Sequence, residues 1–410
     1  MLHNGFAPVG RGRARPSAGS RRDASAGVVL RAVLDHGPIA RSTIARSTGL
    51  SPAAVSGHTA ALSRLGLLRE LPEAIGPRGL GRPHVPLDLD LDRYVACGLH
   101  IAVPAAVVAL LDLRGRIIAS ERIPHVDPEA GDVLDDAAHH LRRLLAAHAP
   151  GSTPLGLGVA TGGWVDHGRG VLVEHPLLGW QDLPIRDELA ERTGLAVQVD
   201  GHSRALVHAE RLFGQARTRA SVLQVFVGNV VDAAFATGST VHRGPRSAAG
   251  VIAHLPVEGD AQPCSCGRTG CLQAAVSDRT LAHRAVELGV LAEPSFPGLV
   301  QAVEAGNPVA TRLMGERATL VGRAVAQLID LLNPELVIVV DRGMTPFPPL
   351  LALLREEVRA RSHICQDPDQ TVVPTSFPGR ALATAAGAVM LHELYSAPLG
   401  AIPERIPDVS

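Results

Sequence analysis

The sequence predicts a two-part α/β protein: a small amino-terminal winged helix-turn-helix followed by a larger body of two lobes with a cleft. Three observations carry that prediction. The 410 residues exceed a typical single domain. Residues 1–87 hold twelve arginines against four acids (Asp23, Asp35, Glu70, Glu73), while the rest is acidic enough to bring the net charge to -1; a basic head on an acidic body suits a polyanionic partner. Beyond Tyr94, short apolar runs alternate with helical patterns in two roughly equal halves, the signature of strand and helix layers. A hydrophobic content of 46% with 19% charged residues describes a soluble globular chain, and no eighteen-residue apolar run calls for a membrane partner. The amino terminus lacks an apolar signal core, so a cytoplasmic location is expected. All 39 basic residues are arginine, which excludes the obligatory lysine of a Walker-type phosphate loop.

Residues 1–24, with Arg11, Arg13, Arg15, Arg21 and Arg22 among Gly, Ala, Ser and Pro, read as a disordered basic arm that either tracks a DNA backbone or is a solvated tail. The winged helix is expected over 25–92. Val29, Leu30, Val33 and Leu34 share one helical face; Arg41 to Thr48 form a second helix ended by Gly49; Ser51-Pro52 open a third with a cap hydroxyl and a first-turn proline. Val55, Leu62 and Leu65 would face the core. Ser51, Ala53, Ser56, His58 and Thr59, with Ser42 and Thr43 of the preceding helix, make a small polar face able to enter a major groove. Two strands, around Leu68–Glu70 and Val85–Leu89, flank a glycine-rich tip whose Arg78 and Arg82 would reach phosphate or minor groove.

The body is expected over 93–398, with a tail at 399–410. Strands are read at 94–99, 106–113, 155–160, 196–200, 222–227, 233–237 and 336–340, and helices at 203–213, 310–332, 350–361 and 382–394. Between them, His254 is followed by Cys264, Cys266 and Cys271, with Gly267 and Gly270 to fold the backbone back. Three thiolates and one imidazole complete a tetrahedral Zn2+ set with no position left open, so the metal would be structural. The alternative is a set of buried reduced cysteines.

With Ala249-Gly250-Val251-Ile252-Ala253-His254 and Cys264-Ser265-Cys266-Gly267-Arg268-Thr269-Gly270-Cys271, the chain resembles the ROK family of bacterial repressors and sugar kinases. Supporting matches are Gly158 to Gly163, Gly179-Trp180-Gln181-Asp182-Leu183-Pro184, Leu212-Phe213-Gly214, Arg243-Gly244 and Asn333-Pro334-Glu335. The resemblance implies an actin-like, ribonuclease-H-like ATPase-type body. The winged helix ending in Gly81-Arg82-Pro83 resembles the xylose-repressor and N-acetylglucosamine-repressor subset.

Family kinases cradle ATP on glycine-rich loops. The corresponding stretches here are Gly98 to Pro104, Gly228-Asn229-Val230-Val231-Asp232 and Asp341-Arg342-Gly343, and Gly201-His202 stands where the catalytic Asn-Asp pair is found. Pro104 offers no N–H, Val103 resists positive φ, and Asp232 adds a carboxylate expected to repel phosphate. No catalytic residue is therefore assigned, and a sugar kinase is the rival reading. Of the family's sugar-gripping residues only His254 carries over, with Val251 in place of a glutamate. His202, Asn229, His254 and Gln273 either hold a carbohydrate-like effector or are polar residues of a relict cleft. The expected protein is a cytoplasmic transcriptional repressor of carbohydrate-related genes, a homodimer or tetramer on an inverted-repeat operator in double-stranded DNA. A second rival is a regulator controlled through a protein partner.

Overall fold

The computed structural model describes residues 18–72, 85–125, 128–259 and 262–402. They fall into two compact units, one running to Asp90 and joined by the segment from Glu393 onward, the other spanning Leu91–His392.

The first unit contains α1 (Ala18–His36), α2 (Arg41–Thr48), α3 (Pro52–Arg64), β1 (Leu68–Glu70) and β2 (Leu87–Leu89). Ala26, Val29, Leu30 and Val33 recur at helical spacing and are fully buried, which fixes the inner face of α1. Gly49, at φ 71°, ends α2 in the left-handed conformation, and the Ser51 hydroxyl accepts the Ala54 N–H at 3.2 Å to start α3. β1 and β2 pair antiparallel, and Ile39 bridges Leu87 as a further short strand.

Two expectations are corrected here. Helix α1 already runs over residues 18–24, assigned above to the arm; the remaining arm, 1–17, lies outside the described residues. The carboxy-terminal boundary also moves, from 398 back to Glu393. Asp23 accepts the backbone N–H groups of Leu399 and Gly400 at 2.8 and 3.1 Å, and a Cβ on Gly27 would stand 2.6 Å from the Tyr395 carbonyl. Local periodicity cannot register a contact between residues nearly four hundred positions apart.

In the second unit, β3 (Tyr94–Ile101), β4 (Ala105–Leu111) and β5 (Ile117–Pro124) form an antiparallel meander, followed by α4 (Ala130–His148) and β6 (Thr153–Thr161). A small antiparallel sheet, β7 (Trp164–Asp166), β8 (Val171–His175) and β9 (Trp180–Leu183), precedes α5 (Ile185–Thr193), β10 (Val197–Gly201) and α6 (His202–Phe213). The second half repeats the meander with β11 (Ser221–Val227), β12 (Val231–Thr237) and β13 (Thr240–Val241). It continues through α7 (Leu272–Val276), α8 (Asp278–Glu287), α9 (Phe296–Glu304), α10 (Pro308–Leu332), β14 (Leu336–Asp341) and α11 (Pro348–Arg361). It ends with α12 (Pro368–Thr371), β15 (Val372–Pro374), α13 (Ala381–Ser396) and α14 (Pro398–Ala401).

Both five-stranded sheets follow one plan, in which the first strand is central, two antiparallel strands lie on one side, and two parallel strands lie on the other. This duplicated plan is the actin-like fold with its two lobes. Central strand β3 and interior strand β14 are buried along their whole length, as strands covered on both faces must be, whereas edge strand β5 alternates. Helix α10 is bounded by its own sequence: the Asn307 side chain accepts the Val309 and Ala310 N–H groups, and Asn333 closes it at φ 44°.

Candidate functional sites: a metal hairpin, a helix face and a cleft

The cysteine stretch folds as a small hairpin. Gly267 and Gly270 take φ of 82° and 70°, Cys264 N–H donates to the Arg268 carbonyl at 2.8 Å, and Pro263 bridges Thr269. Pro256 bridges Cys271, and Gln273 N–H donates to Ala253 at 2.9 Å, which brings His254 alongside. Upstream, a Cβ on Gly250 would sit 1.9 Å from the Ala233 carbonyl, so only glycine lets this backbone lie against β12. The ligand atoms of His254, Cys264, Cys266 and Cys271 all lie within 4.8 Å of one another. Cys264 Sγ stands 3.7 Å from His254 Nδ1, and Cys266 Sγ stands 3.7 Å from Cys271 Sγ. A tetrahedron with metal–sulfur bonds near 2.3 Å has edges of about 3.8 Å, so this set could hold a metal ion. Arg268 Nε donates to Cys266 Sγ at 3.5 Å and draws that thiol's pKa down, favouring the thiolate a metal needs.

Ser51, which caps α3, and Ala53 and Ser56 on it are exposed and His58 is half-buried; on α2, Ser42 is exposed and Thr43 half-buried. Burial, with a smaller contribution from the Arg22 charge, lowers the pKa of His58. Thr59 does not belong to this face. It is fully buried, one turn from Val55, and its hydroxyl donates to the Ser56 carbonyl and accepts Arg41 Nε, both at 3.2 Å. Arg41 in turn reaches Glu70 at 2.7 Å and ties α2 to β1. Arg78 and Arg82 lie outside the described residues.

The cleft of the second unit encloses about 720 Å³ and is lined mostly by apolar surface. Two meander turns face it, 101–105 and 228–230, and Asn229 Nδ2 donates to the Val103 carbonyl at 3.0 Å, closing one onto the other. One wall is ionic. Arg317, fully buried, meets Asp341 at 2.9 Å, Asp278 at 2.8 Å and the Val227 carbonyl at 3.2 Å, and Arg342 reaches Asp278 at 3.1 Å. Asp341 Oδ1 also accepts Gly343 N–H at 2.7 Å and Met344 N–H at 3.2 Å, so the donors of the turn after β14 are already used.

The facing wall is imidazole. His100, His175 and His202 are all buried, with the His100 and His202 rings stacked at 5.8 Å and His202 tilted on Phe226 at 4.1 Å. Burial, then the neighbouring imidazoles, pushes the His100 pKa well below the usual histidine range and that of His175 down to about 4, so both are neutral at pH 7. Asp232 is corrected from a carboxylate facing phosphate: it accepts the Ser203 hydroxyl and lies 3.0 Å from His202 Nε2.

Of the four expected effector residues, His202 and Asn229 line the cleft. His254 and Gln273 do not: His254 joins the metal set, and Gln273 Oε1 accepts Val231 N–H at 3.1 Å. Sequence reading missed His100, His175 and Arg317. It also missed Asp200, where burial alone would raise the pKa but a hydrogen bond with His208 and the charges of Arg204 and Arg243 hold it well below the carboxylate range. Arg204 further donates to the Ser247 and Val165 carbonyls at 3.1 and 3.3 Å, joining the two lobes of this unit. A lone histidine or arginine inside an apolar run was the available signal, and it is shared with ordinary core residues.

Comparison with known proteins places these features. A sequence model described as the ROK family matches residues 96–393. A transcriptional regulator of Mycobacterium tuberculosis is 34% identical, covering 93% of this chain and 88% of that protein. A xylose repressor of Caldicellulosiruptor bescii is 26% identical over 90% of this chain and 96% of its own length. Among solved structures, a ROK-family transcriptional regulator homologous to Escherichia coli Mlc superposes with a TM-score of 0.78 at 21% identity, covering 93% of this chain and 98% of that one. A ROK glucokinase from Streptomyces griseus, with glucose and AMPPNP, gives 0.63 at 23% identity, covering 72% and 98%.

Proposed function

The chain belongs to the ROK family, and we propose that it is a DNA-binding transcriptional regulator, a repressor of carbohydrate-related genes, whose body receives an effector and transfers no phosphate. The reading is carried by one conjunction: a helix-turn-helix with a small, exposed polar face stands in the same chain as a kinase-like body whose third phosphate turn is filled by its own Asp341. Repression and the carbohydrate link are supported by the relative named as a xylose repressor. Ser42, Thr43, Ser51, Ala53, Ser56 and His58 would meet base edges and phosphates, with Arg78 and Arg82 on the wing. Two copies would meet the half-sites of an inverted repeat, as a homodimer or a pair of dimers. Among the described residues no helix is long and apolar enough to cross a membrane, which accords with a cytoplasmic regulator.

A kinase would need the N–H donors and the developing-charge clamp that phosphoryl transfer depends on. Here Gly343 and Met344 N–H are taken, and Pro104 has none. His254, Cys264, Cys266 and Cys271 would hold a zinc ion, which when bound supplies a closed structural crosslink. The residues themselves set the hairpin: the Pro256–Cys271 and Pro263–Thr269 bridges align the thiols, and Arg268 stabilises one as thiolate.

The test is fluorescence anisotropy of the full chain on the DNA flanking its own gene against a shuffled duplex. The expected result is nanomolar binding to the former, falling steeply as salt rises from 50 to 200 mM. Equal affinity for both duplexes would overturn the assignment.

A further inference from the structure

Three features of the cleft point to a ligand that nothing in the family pattern of phosphate loops describes. First, among the described residues, both ring nitrogens of His100 and Nδ1 of His175 are buried without a hydrogen-bond partner, although both residues line the cavity. Their side chains are 0% and 1% exposed, so these are deeply buried polar groups. Buried polar atoms are almost always partnered, and a roomy polar-edged cavity is where the missing partner belongs. Second, the volume of about 720 Å³ falls in the range that encloses a drug-sized ligand, roughly 300–1,000 Å³, and is generous for a lone hexose. Third, Phe226, His202 and His100 stand as a column of rings on one side, and Phe377 adds a further aromatic surface. Aromatic faces of this kind favour a flat ring.

We propose that the cleft binds an uncharged, ring-bearing polyol, an aryl glycoside or a nucleoside, with its hydroxyls on His100 and His175 and its ring against the Phe226–His202 column. A neutral imidazole offers one donor and one acceptor, and a hydroxyl answers both. A phosphate monoester answers only the donors, and it would enter beside Asp278 and Asp341. Three arginines do reach the cavity, Arg122, Arg342 and Arg380, but all are exposed and Arg342 is paired with Asp278. His202 Nε2 lies 3.0 Å from Asp232 Oδ1, and the ring acts here as a stacking surface.

The inference rests on the reading of the body as a receptor, and its test separates the two. Full-length protein is titrated calorimetrically with 4-nitrophenyl β-glucoside, 4-nitrophenyl β-xyloside, adenosine and uridine, and with AMP, UMP and glucose 6-phosphate. Operator binding is measured on the same preparation. At least one neutral compound should bind with a dissociation constant below about 100 μM, at least tenfold tighter than the phosphorylated compounds. The glycoside and nucleoside arms identify the source. His100→Phe and His175→Phe should each weaken that binding at least tenfold while leaving the melting temperature no lower and operator binding intact. Equal or tighter binding of a phosphate ester, or no binding by any neutral compound, overturns the inference. If operator binding persists, the regulator stands without this ligand; if it too is absent, the regulator reading fails.

Discussion

The two walls of the cleft handle buried polarity in opposite ways. On one, Arg317, Asp341, Asp278 and the Gly343 and Met344 N–H groups satisfy one another completely. On the other, His100 and His175 keep ring nitrogens that nothing among the described residues answers. The first wall, at the stretch read as the counterpart of a kinase phosphate turn, is a closed cluster. The second is the side on which the proposed ligand would be held.

Breaking the closed wall should have the largest effect. Arg317→Met removes the one cation shared by two buried carboxylates and should cost about 3–5 kcal/mol, read as a lower urea midpoint of the body's transition. If the loss is below about 1 kcal/mol, the cluster is not the structural unit described here.

Acid should act next, and through the open wall. His175, held at about 4 when folded against 6.5 unfolded, stays neutral while the unfolded chain takes up protons. The unfolded state then binds more protons, so stability falls as the pH drops from about 6.5 to 4 and the loss stops growing below that. His175 alone accounts for about 3 kcal/mol, and the shift of His100 adds in the same direction. His202 and His125 stand close to His175, and burial lowers the pKa of His125 in the same sense. Equilibrium unfolding between pH 7.5 and 4.5 measures the slope, and a His100→Phe, His175→Phe double variant should flatten it.

The smallest effect separates the walls most sharply. His100→Phe removes two unanswered nitrogens and should leave stability unchanged or raise it by about 1–2 kcal/mol, where Arg317→Met lowers it. A loss of 2 kcal/mol or more in His100→Phe would show that this imidazole has a structural partner.

The same contrast explains what was legible beforehand. His254, Cys264, Cys266 and Cys271 span eighteen residues, and the glycines that turn their backbone lie among them, so spacing alone brought them together. The winged helix was readable because Ser51-Pro52 and Gly49 mark helix ends locally. Thr59 was misassigned because a hydroxyl on a helix looks solvent-facing until its neighbours Val55 and Leu62 fix the phase of the buried face. The cleft walls were hidden because β3, β8, α6 and β14 line them from different parts of the chain, and Arg317 of α10 pairs with Asp341 from behind. Asp341-Arg342-Gly343 reads as the counterpart of a phosphate turn, but nothing nearby in sequence shows that Arg317, on α10, would pair with Asp341.

The most direct measurement is a calorimetric titration of the zinc-loaded full chain with magnesium and a non-hydrolysable ATP analogue, with and without glucose. A cleft whose phosphate wall is satisfied from within should show no saturable binding below millimolar concentration. A micromolar dissociation constant, tightened by glucose, would contradict the account and restore the kinase.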